Sequence, residues 1–515
     1  MRIVFHASLV ALSTLCILAT VPQHCRAQAF DGYTLFAPSN SRSTYLVDMN
    51  KKTVHSWTGT RSGGYSYYLL EDGSLLRSAM APNPQINGGG GTGVIQRFTW
   101  AGALAWEYIY SSATYIAHHD VCALPNGNIL FIAWEVKNST QAVQAGLNRS
   151  SAIWPDHLLE VQPTGASGGN IVWKWHAWDH LVQDHDSTKA NYGVVAAHPE
   201  LLNINMGAGG IGPGIGGGDW MHINAISYNP ALDQIVISSH TLNEVYVLDH
   251  STTTAEAASH RGGRWGKGGD ILYRWGMPSN YGAPGAQVFD VVHCAAWIPE
   301  GLPGAGHILA FNNGAKIRRS IVVEIVPPTD TQGNYVRAQG QPFGPPAPLW
   351  SFTASDFYST HLGGNQRLPN GNTLMAESTS GNLFECDSSG KIVWSYLRGG
   401  EIVRALRYAP TYPGVQRLLA TATPEALPSS PLIESISPNP VSLIANLSFR
   451  LPERMAATVT ITDQLGRNVA TIADAVFDAG THHAVIDAAT LPAGMYYCRL
   501  ATSEGSVTKR FARIP

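Results

Sequence analysis

The stretch "HHDVCALPNGNILFIAW", residues 118–134, sets the fold because two apolar runs flank a Pro-Asn-Gly turn. Asn-Gly between apolar segments is a strong signal for a β-hairpin. Comparable hairpins recur along the chain: "YYLLEDGSLLRSA" (67–79), "HINAISYNPALDQIVISSH" (222–240), "HCAAWIPEGLPGAGHILAF" (293–311) and "NQRLPNGNTLMAES" (365–378). The sequence therefore repeats one antiparallel unit.

A second pattern follows each hairpin: a short apolar strand, a turn, and a strand that bears an aromatic residue. It begins at residues 44, 94, 157, 245, 322 and 383. With a degenerate hairpin at 401–420, the chain holds six four-stranded units, and such units are stabilised by radial stacking. We predict an all-β protein whose main domain is a six-bladed β-propeller, closed by pairing unit 44–58 with hairpin 401–420.

One aromatic residue of each unit is predicted to pack between neighbouring blades rather than to bind a ligand. These residues are Trp57, Trp106, Trp173, Tyr273, Trp350 and Trp394.

Both ends of the chain differ from the repeats. Residues 1–29 have a basic start, an apolar run and an A-x-A ending, which is typical of a secretory signal peptide. We assign residues 30–420 to the propeller, 421–434 to a Pro/Ser-rich linker and 435–515 to a small C-terminal β-sandwich. No later apolar run is long enough to span a bilayer.

The composition favours a small-molecule partner. Only 13% of residues are charged and the formal net charge is -3, so no footprint for nucleic acid or an anionic membrane is visible. Four cysteines follow the signal segment, and their spacing leaves open whether they pair or stay reduced: Cys122, Cys294, Cys386 and Cys498.

Three histidines share a place in the repeat. His119, His222 and His293 each lie eight positions before a turn residue, so we expect their side chains to converge at one mouth of the central channel. His240 ends the strand that pairs with the one His222 begins, which brings it to the same end. Unpaired polar groups in a channel are costly unless they are solvated or used. This cluster is therefore the candidate functional site.

Convergent imidazoles permit two chemistries. Zinc accepts three histidines with one open position; alternatively, one neutral imidazole is a nucleophile and another its acid/base partner. The HExxH signature is absent and we assign no metal and no cofactor. The glycine-rich runs at 87–93 and 206–220 lack the phosphate-loop pattern and are interpreted as connections.

Four segments resemble the bacterial arylsulfate sulfotransferases: residues 219–240, 249–282, 293–314 and 363–378, with "DHSTT" and "YRWG" as the most specific wording. The resemblance implies a six-bladed propeller that moves a sulfuryl group from a phenolic sulfate ester to a phenolic acceptor without the nucleotide donor PAPS.

The same resemblance implies residue roles. His293 matches the nucleophile that forms a transient sulfohistidine, His222 a second histidine suited to acid/base work, and His119 a third, with His118 as the alternative if the strand is shifted. Asn224 would donate a hydrogen bond to a sulfuryl oxygen.

One position departs from the family pattern. Better-studied members have an arginine where this chain has His240. Loss of a preorganised donor of that kind can cost ~3 kcal/mol of transition-state stabilisation. Protonated His240, Arg404 or Arg407 would be the substitutes.

Residues 435–515 resemble the C-terminal sorting domain of type IX secretion, in the pieces "SPNP", "DQLGRNV", "DAGTHHAVID" and "LPAGMYYCRL". The resemblance implies type IX machinery as a partner and export across both membranes to the cell surface or the medium. Two alternatives to the transferase remain open: a non-catalytic ligand-binding or surface propeller, and a histidine-dependent aryl sulfate hydrolase.

Overall fold

A computed structural model describes residues 28–206, 218–421 and 430–514. The chain divides into two compact units, residues 1–416 and 417–515. The predicted signal peptide lies almost entirely outside the described residues and stays a prediction.

The described part of the first unit is built almost wholly from short strands. In chain order these are β1 (Tyr33–Pro38), β2 (Ser43–Val47), β3 (Thr53–Thr58), β4 (Gly63–Leu69), β5 (Leu75–Met80), β6 (Gly93–Phe98), β7 (Leu104–Ile109), β8 (Tyr115–Ala123), β9 (Ile129–Glu135), β10 (Asp156–Thr164), β11 (Gly168–His176), β12 (Leu181–Val182), β13 (Leu202–Asn203), β14 (Ile223–Asn229), β15 (Gln234–Ser239), β16 (Glu244–Asp249), β17 (Tyr273–Trp275), β18 (Val292–Trp297), β19 (Ile308–Asn312), β20 (Ile321–Ile325), β21 (Trp350–Phe352), β22 (Gly364–Arg367), β23 (Thr373–Glu377), β24 (Asn382–Cys386), β25 (Ile392–Leu397) and β26 (Ile402–Tyr408).

Helices are few and short. They are α1 (Ser139–Gln144), α2 (Thr254–Ala257) and α3 (Pro413–Thr421), with 3-10 turns at Ala177–Asp179, Val195–Ala197 and Pro278–Tyr281. No helix among the described residues has both the length and the apolar character needed to cross a membrane.

The strands form consecutive antiparallel four-stranded sheets. Within the described residues of the first unit there are six: β26-β1-β2-β3, β4 to β7, β8 to β11, β14 to β17, β18 to β21, and β22 to β25. The first strands of successive sheets contact one another from β4 through β8, β14, β18 and β22 to β26, and β26 contacts β4. Apolar cores fill the space between sheets; for example, Ile132 of β9 and Ile237 of β15 share one core. The unit is all-β and propeller-like.

The five hairpins quoted from the sequence are present, and the same turn closes three of them. Gly73, Gly127 and Gly371 have φ of 82°, 85° and 87°. Each donates its N–H to the carbonyl of a leucine three residues earlier, at 2.9, 3.0 and 2.9 Å. A left-handed backbone favours glycine, which is why this turn is readable from sequence.

The predicted closure of the ring was wrong in detail. Only β26 comes from the C-terminal segment, and three strands, β1 to β3, come from the N-terminal one. Residues 415–420 belong to α3 instead of a strand. Pro413 has no N–H for a strand ladder and suits the first turn of a helix. The place next to β26 that the prediction gave to the last strand is taken by β1, in which Thr34 is opposite Arg407.

The aromatic residues at the repeated position pack between sheets, as predicted. Each donates a side-chain hydrogen bond to the next sheet or its connections: Trp57 to Thr99, Trp106 to Gly168, Trp173 to Thr252, Tyr273 to Gly344, Trp350 to Ser388 and Trp394 to Met49. The last of these runs from the β25 strand back to the turn after β2, so the series is cyclic.

The second unit has β27 (Leu432–Ser437), β28 (Ile444–Leu451), β29 (Met455–Thr462), β30 (Asn468–Phe477), β31 (Gly480–Asp487), β32 (Gly494–Thr502) and β33 (Gly505–Arg513). They form the sheets β27-β28-β31 and β30-β29-β32-β33. Alternate residues such as Leu447, Phe449, Val459 and Ile461 are fully buried in one core.

We expect the Trp57→Ala substitution to destabilise the protein by about 3–5 kcal/mol, because removal of a fully buried indole leaves a cavity and loses the hydrogen bond to the Thr99 carbonyl. Trp350→Ala is the matched control, since Trp350 holds the same place in its sheet but is partly exposed. Urea unfolding measures both. Equal losses of unfolding free energy in the two variants would contradict the conclusion that burial between sheets determines how much the aromatic residue stabilises the protein.

Candidate active site

Three of the predicted site histidines lie on, or directly before, the first strands of three neighbouring sheets. His119 is on β8, His222 directly precedes β14 and His293 is on β18. The ladder is bulged at each place, with φ of 50° at His119, 50° at His222 and 51° at Cys294. The residue with positive φ is the histidine itself at His119 and His222, but it is the following residue, Cys294, in the third sheet. The three histidines therefore occupy only approximately equivalent positions in the repeat.

The structure brings together all four predicted histidines, in a file. Ring centroids are 4.5 Å apart between His119 and His222, 5.0 Å between His222 and His240, and 5.3 Å between His240 and His293. The four side chains therefore lie together, as expected. They form a row instead of meeting at one point, and His240 lies between His222 and His293. We call these four rings the histidine file.

An amide fixes the tautomer of His293. Its Nδ1 lies 2.6 Å from Asn313 Oδ1, while Asn313 Nδ2 donates to the carbonyls of Ser359 and Leu362 at 2.8 and 2.7 Å. Because those two acceptors take the amide N–H groups, Oδ1 must face His293 and accept from Nδ1–H. The lone pair of a neutral His293 is therefore on Nε2. Asn313, in the "FNNG" segment, is a site residue that the sequence analysis did not assign.

A carboxylate orients His222. Its Nδ1 donates to Asp219 Oδ2 at 2.5 Å, and both side chains are buried. This contact directs Nε2 away from Asp219 and stabilises the imidazolium form when it arises.

His118 stands behind His119 rather than replacing it. The two Nδ1 atoms are 2.9 Å apart, and His118 Nε2 lies 2.9 Å from Asp156 Oδ1. Trp134 stacks on the His118 ring at 4.0 Å. Only one of the two Nδ1 atoms can carry the shared proton, so the tautomers of His118 and His119 depend on each other. No sequence pattern pointed to Asp156, which begins β10 in the same sheet.

The first glycine-rich run packs tightly against His119. Gly90 has φ of 92°, and a Cβ placed there would lie 1.8 Å from His119 Cε1. The Gly90 carbonyl also accepts from the His119 N–H at 2.9 Å. Only glycine allows this approach. Residues 207–217 of the second run lie outside the described residues.

Burial disfavours the charged form of three of the four rings, those of His119, His240 and His293. Desolvation lowers the pKa of His293 to about 3 and holds the pKa values of His119 and His240 well below the usual range, with neighbouring imidazoles acting in the same direction. His240 Nδ1 is buried and has no hydrogen-bond partner among the described residues.

The three side chains expected to replace the charge of the family's arginine are either disfavoured in their charged form or paired with a carboxylate. Burial disfavours a protonated His240. Arg404 donates to Asp120 at 3.1 Å and to Tyr68 at 2.7 Å, while Arg407 forms a buried ion pair with Glu385. Both guanidinium groups are thus held by carboxylates of their own.

Asn224 is buried and bonded on both sides. Its Nδ2 donates to the Val292 carbonyl at 2.7 Å and its Oδ1 accepts from Ser238 Oγ at 2.7 Å. Asn224 therefore ties β14 to the residue before His293. An amide has a second N–H, and its donation to a sulfuryl oxygen stays a prediction.

In the part of the chain that the structure describes, the histidine file contains no disulfide and no group of three metal-ligating side chains. Cys122, Cys294, Cys386 and Cys498 are all free thiols. Within the described residues, the one group of three ligating side chains with ligand atoms inside 4.8 Å belongs to another part of the unit.

The pKa of His293 predicts how stability depends on pH. Between about pH 6.5, the ordinary histidine value, and the folded pKa of about 3, the unfolded chain binds a proton that folded His293 does not. The unfolding free energy should fall as pH falls through this window, by up to ~1.4 kcal/mol per pH unit for this group. Urea unfolding of wild type and His293→Gln at several pH values measures it. The wild type should lose stability faster; parallel slopes would contradict the neutral state.

Structural comparisons return only distant similarity. A protein of unknown function from Bacteroides caccae is 12% identical, covers 73% of this chain and 98% of its own, and has a TM-score of 0.39. The periplasmic gluconolactonase PpgL from Pseudomonas aeruginosa is 11% identical, covers 73% and 99%, and has a TM-score of 0.35. No curated protein matches the sequence.

Family models match both units. The "Secretion system C-terminal sorting domain" matches residues 435–513, which indicates export by type IX secretion to the cell surface or the medium. The "Arylsulfotransferase (ASST)" model matches residues 85–396, a segment that contains the whole histidine file and more than half of the chain. The protein belongs to the arylsulfotransferase (ASST) family.

Proposed function

We propose that the histidine file transfers a sulfuryl group from an aryl sulfate ester to a phenolic acceptor through a sulfohistidine on His293. The observation that carries the proposal is the 2.6 Å contact between His293 Nδ1 and Asn313 Oδ1, which leaves the Nε2 lone pair free. A neutral, desolvated imidazole is a competent nucleophile at neutral pH. Family membership supports an arylsulfotransferase-type function.

In the first half-reaction, His293 Nε2 attacks the sulfur, an N–S bond forms and the S–O bond to the aryl group breaks. The departing phenolate takes a proton from Nε2 of a protonated His222, whose Nδ1–H remains bonded to Asp219. In the second half-reaction the acceptor phenol returns a proton to His222 and attacks the sulfur. The N–S electron pair goes back to His293, so atoms and protons balance.

His240 would supply a hydrogen bond in place of the family's arginine charge. It lies between the proposed nucleophile and the proposed acid, with its Nδ1 unpartnered among the described residues. A neutral imidazole donates one hydrogen bond but carries no permanent charge for the sulfuryl oxygens.

We infer that residues 30–420 form a six-bladed β-propeller and that residues 435–515 form a β-sandwich. The cyclic series of aromatic hydrogen bonds, ending with Trp394 on Met49, supports the blade count. The two sheets around one core support the sandwich. The first strands would then surround the channel that holds the file.

The exported protein should release p-nitrophenol from p-nitrophenyl sulfate, faster when phenol is added, while intact mass shows a transient gain of one SO₃. His293→Ala should lose both the release and the adduct. His198→Ala, an exposed histidine paired with Glu200, is the control and should retain both. Release without acceptor dependence would indicate a hydrolase. Neither release nor adduct would leave a binding propeller.

A leaving-group comparison tests the role of His222. Phenolate needs a proton more than p-nitrophenolate does, because it is the stronger base. His222→Gln should therefore reduce kcat/KM for phenyl sulfate at least tenfold more than for p-nitrophenyl sulfate, under single-turnover conditions. An equal loss for both esters would argue that His222 only positions the substrate.

A further inference from the structure

A second cluster of ligating side chains lies outside the histidine file. His180 follows the 3-10 turn after β11, His260 follows α2, and Asp270 precedes β17. They come from connections of two neighbouring sheets, and α2 contacts β11. We call these three residues the His180 cluster; neither the sequence analysis nor the proposed transfer reaction uses it.

The three side chains point at one another. His180 Nδ1 and His260 Nδ1 lie 2.8 and 2.7 Å from the same oxygen, Asp270 Oδ1. Their ligand atoms all fall within 4.8 Å of one another. Two imidazole nitrogens and one carboxylate oxygen around one point form a donor set that zinc prefers, whereas calcium and magnesium prefer oxygen alone.

The other nitrogen of His180 is already committed. Its Nε2 lies 2.8 Å from the Ala257 carbonyl, which can only accept, so Nε2 carries the hydrogen. With Nε2 committed to that carbonyl, Nδ1 is the nitrogen of His180 that faces Asp270 and is placed to act as a ligand. Donation of the distal N–H to a backbone carbonyl is the usual second contact of a metal-bound histidine.

The Trp175 side chain and the backbone of Gly269 pack against His180. Trp175 stacks on its ring at 5.7 Å with an interplanar angle of 5°, and Trp175 Nε1 donates to the Gly269 carbonyl at 2.7 Å. A Cβ on Gly269 would lie 2.6 Å from His180 Nε2 and 2.0 Å from the Ala257 oxygen. Glycine thus permits the close approach that brings Asp270 over the imidazole.

One side of the cluster is open. The His180 and Asp270 side chains are 0% and 8% exposed, whereas that of His260 is 60% exposed. Bonds of roughly 2.0–2.2 Å to a tetrahedral cation would separate the ligand atoms by roughly 3.3 Å. Both contacts to Asp270 Oδ1 would therefore have to widen by about half an ångström; the exposed His260 ring would move outward, and the Asp270 carboxylate would turn away from His180.

We propose that His180 Nδ1, His260 Nδ1 and Asp270 Oδ1 bind one Zn²⁺-like divalent cation, with the fourth position open to solvent. The cation would tie the segment after β11 to the β16–β17 connection. Binding to the folded state alone would stabilise the protein by mass action.

The test uses the tag-free exported protein after chelator treatment and dialysis. Co²⁺ is titrated while visible d–d absorption is recorded, Zn²⁺ binding is measured by calorimetry, and thermal midpoints are taken with and without Zn²⁺. The variants are His260→Ala, with His198→Ala as a control for a surface histidine beside a carboxylate. His260→Cys replaces one ligand by a thiolate.

The expected result is one bound cation in wild type and His198→Ala, with a raised thermal midpoint, and at least a tenfold weaker affinity in His260→Ala. His260→Cys should bind one Co²⁺ with an added sulfur-to-cobalt charge-transfer band. Absence of binding in wild type would overturn the proposal. So would binding that His260→Ala leaves unchanged, since the cation would then lie elsewhere, as in the histidine file.

Discussion

The aromatic hydrogen bond from the fourth strand of each sheet to the next sheet is the contact on which the first unit depends. Trp57 illustrates it: the indole is fully buried, and its N–H satisfies the Thr99 carbonyl in the following sheet. A four-stranded sheet has two apolar faces and cannot bury both alone. Each aromatic residue covers the outer part of one face and fixes the next sheet at the same time. Because the bond from Trp394 returns to Met49, no sheet of the series lacks a neighbour.

This packing also determines the electrostatics of the histidine file. His119 and His293 lie on the first strands of their sheets and are buried, and burial favours the neutral imidazole. A neutral ring must have one N–H and one lone pair, and its neighbours decide which nitrogen has which. Asn313 decides this for His293, and the tautomer of His119 depends on that of His118, with which it shares a proton. The tautomers of the file are therefore set partly by residues outside it.

The two arginines that the sequence offered as substitutes are both paired with carboxylates. Asp120 holds Arg404 through both carboxylate oxygens, and Glu385 pairs with Arg407. Transfer through His293 would then rely on hydrogen-bond donors and on a protonated His222 held by Asp219, rather than on a fixed positive charge. The sorting domain serves a separate purpose, export of the arylsulfotransferase-family unit.

The repeated hairpins, the aromatic residues between sheets and the four histidines of the file could all be predicted from the sequence, because strand period and turn chemistry are local. Gly127 illustrates this: its left-handed turn is visible in "LPNG" without any tertiary information. Local signals failed at the closure, where β1 displaced the expected last strand and residues 415–420 became helical. Tertiary structure alone decided the order of the rings, with His240 between His222 and His293. It alone recruited Asn313, Asp156 and the His180 cluster, because residues far apart in sequence meet there, and their hydrogen bonds depend on how neighbouring sheets pack.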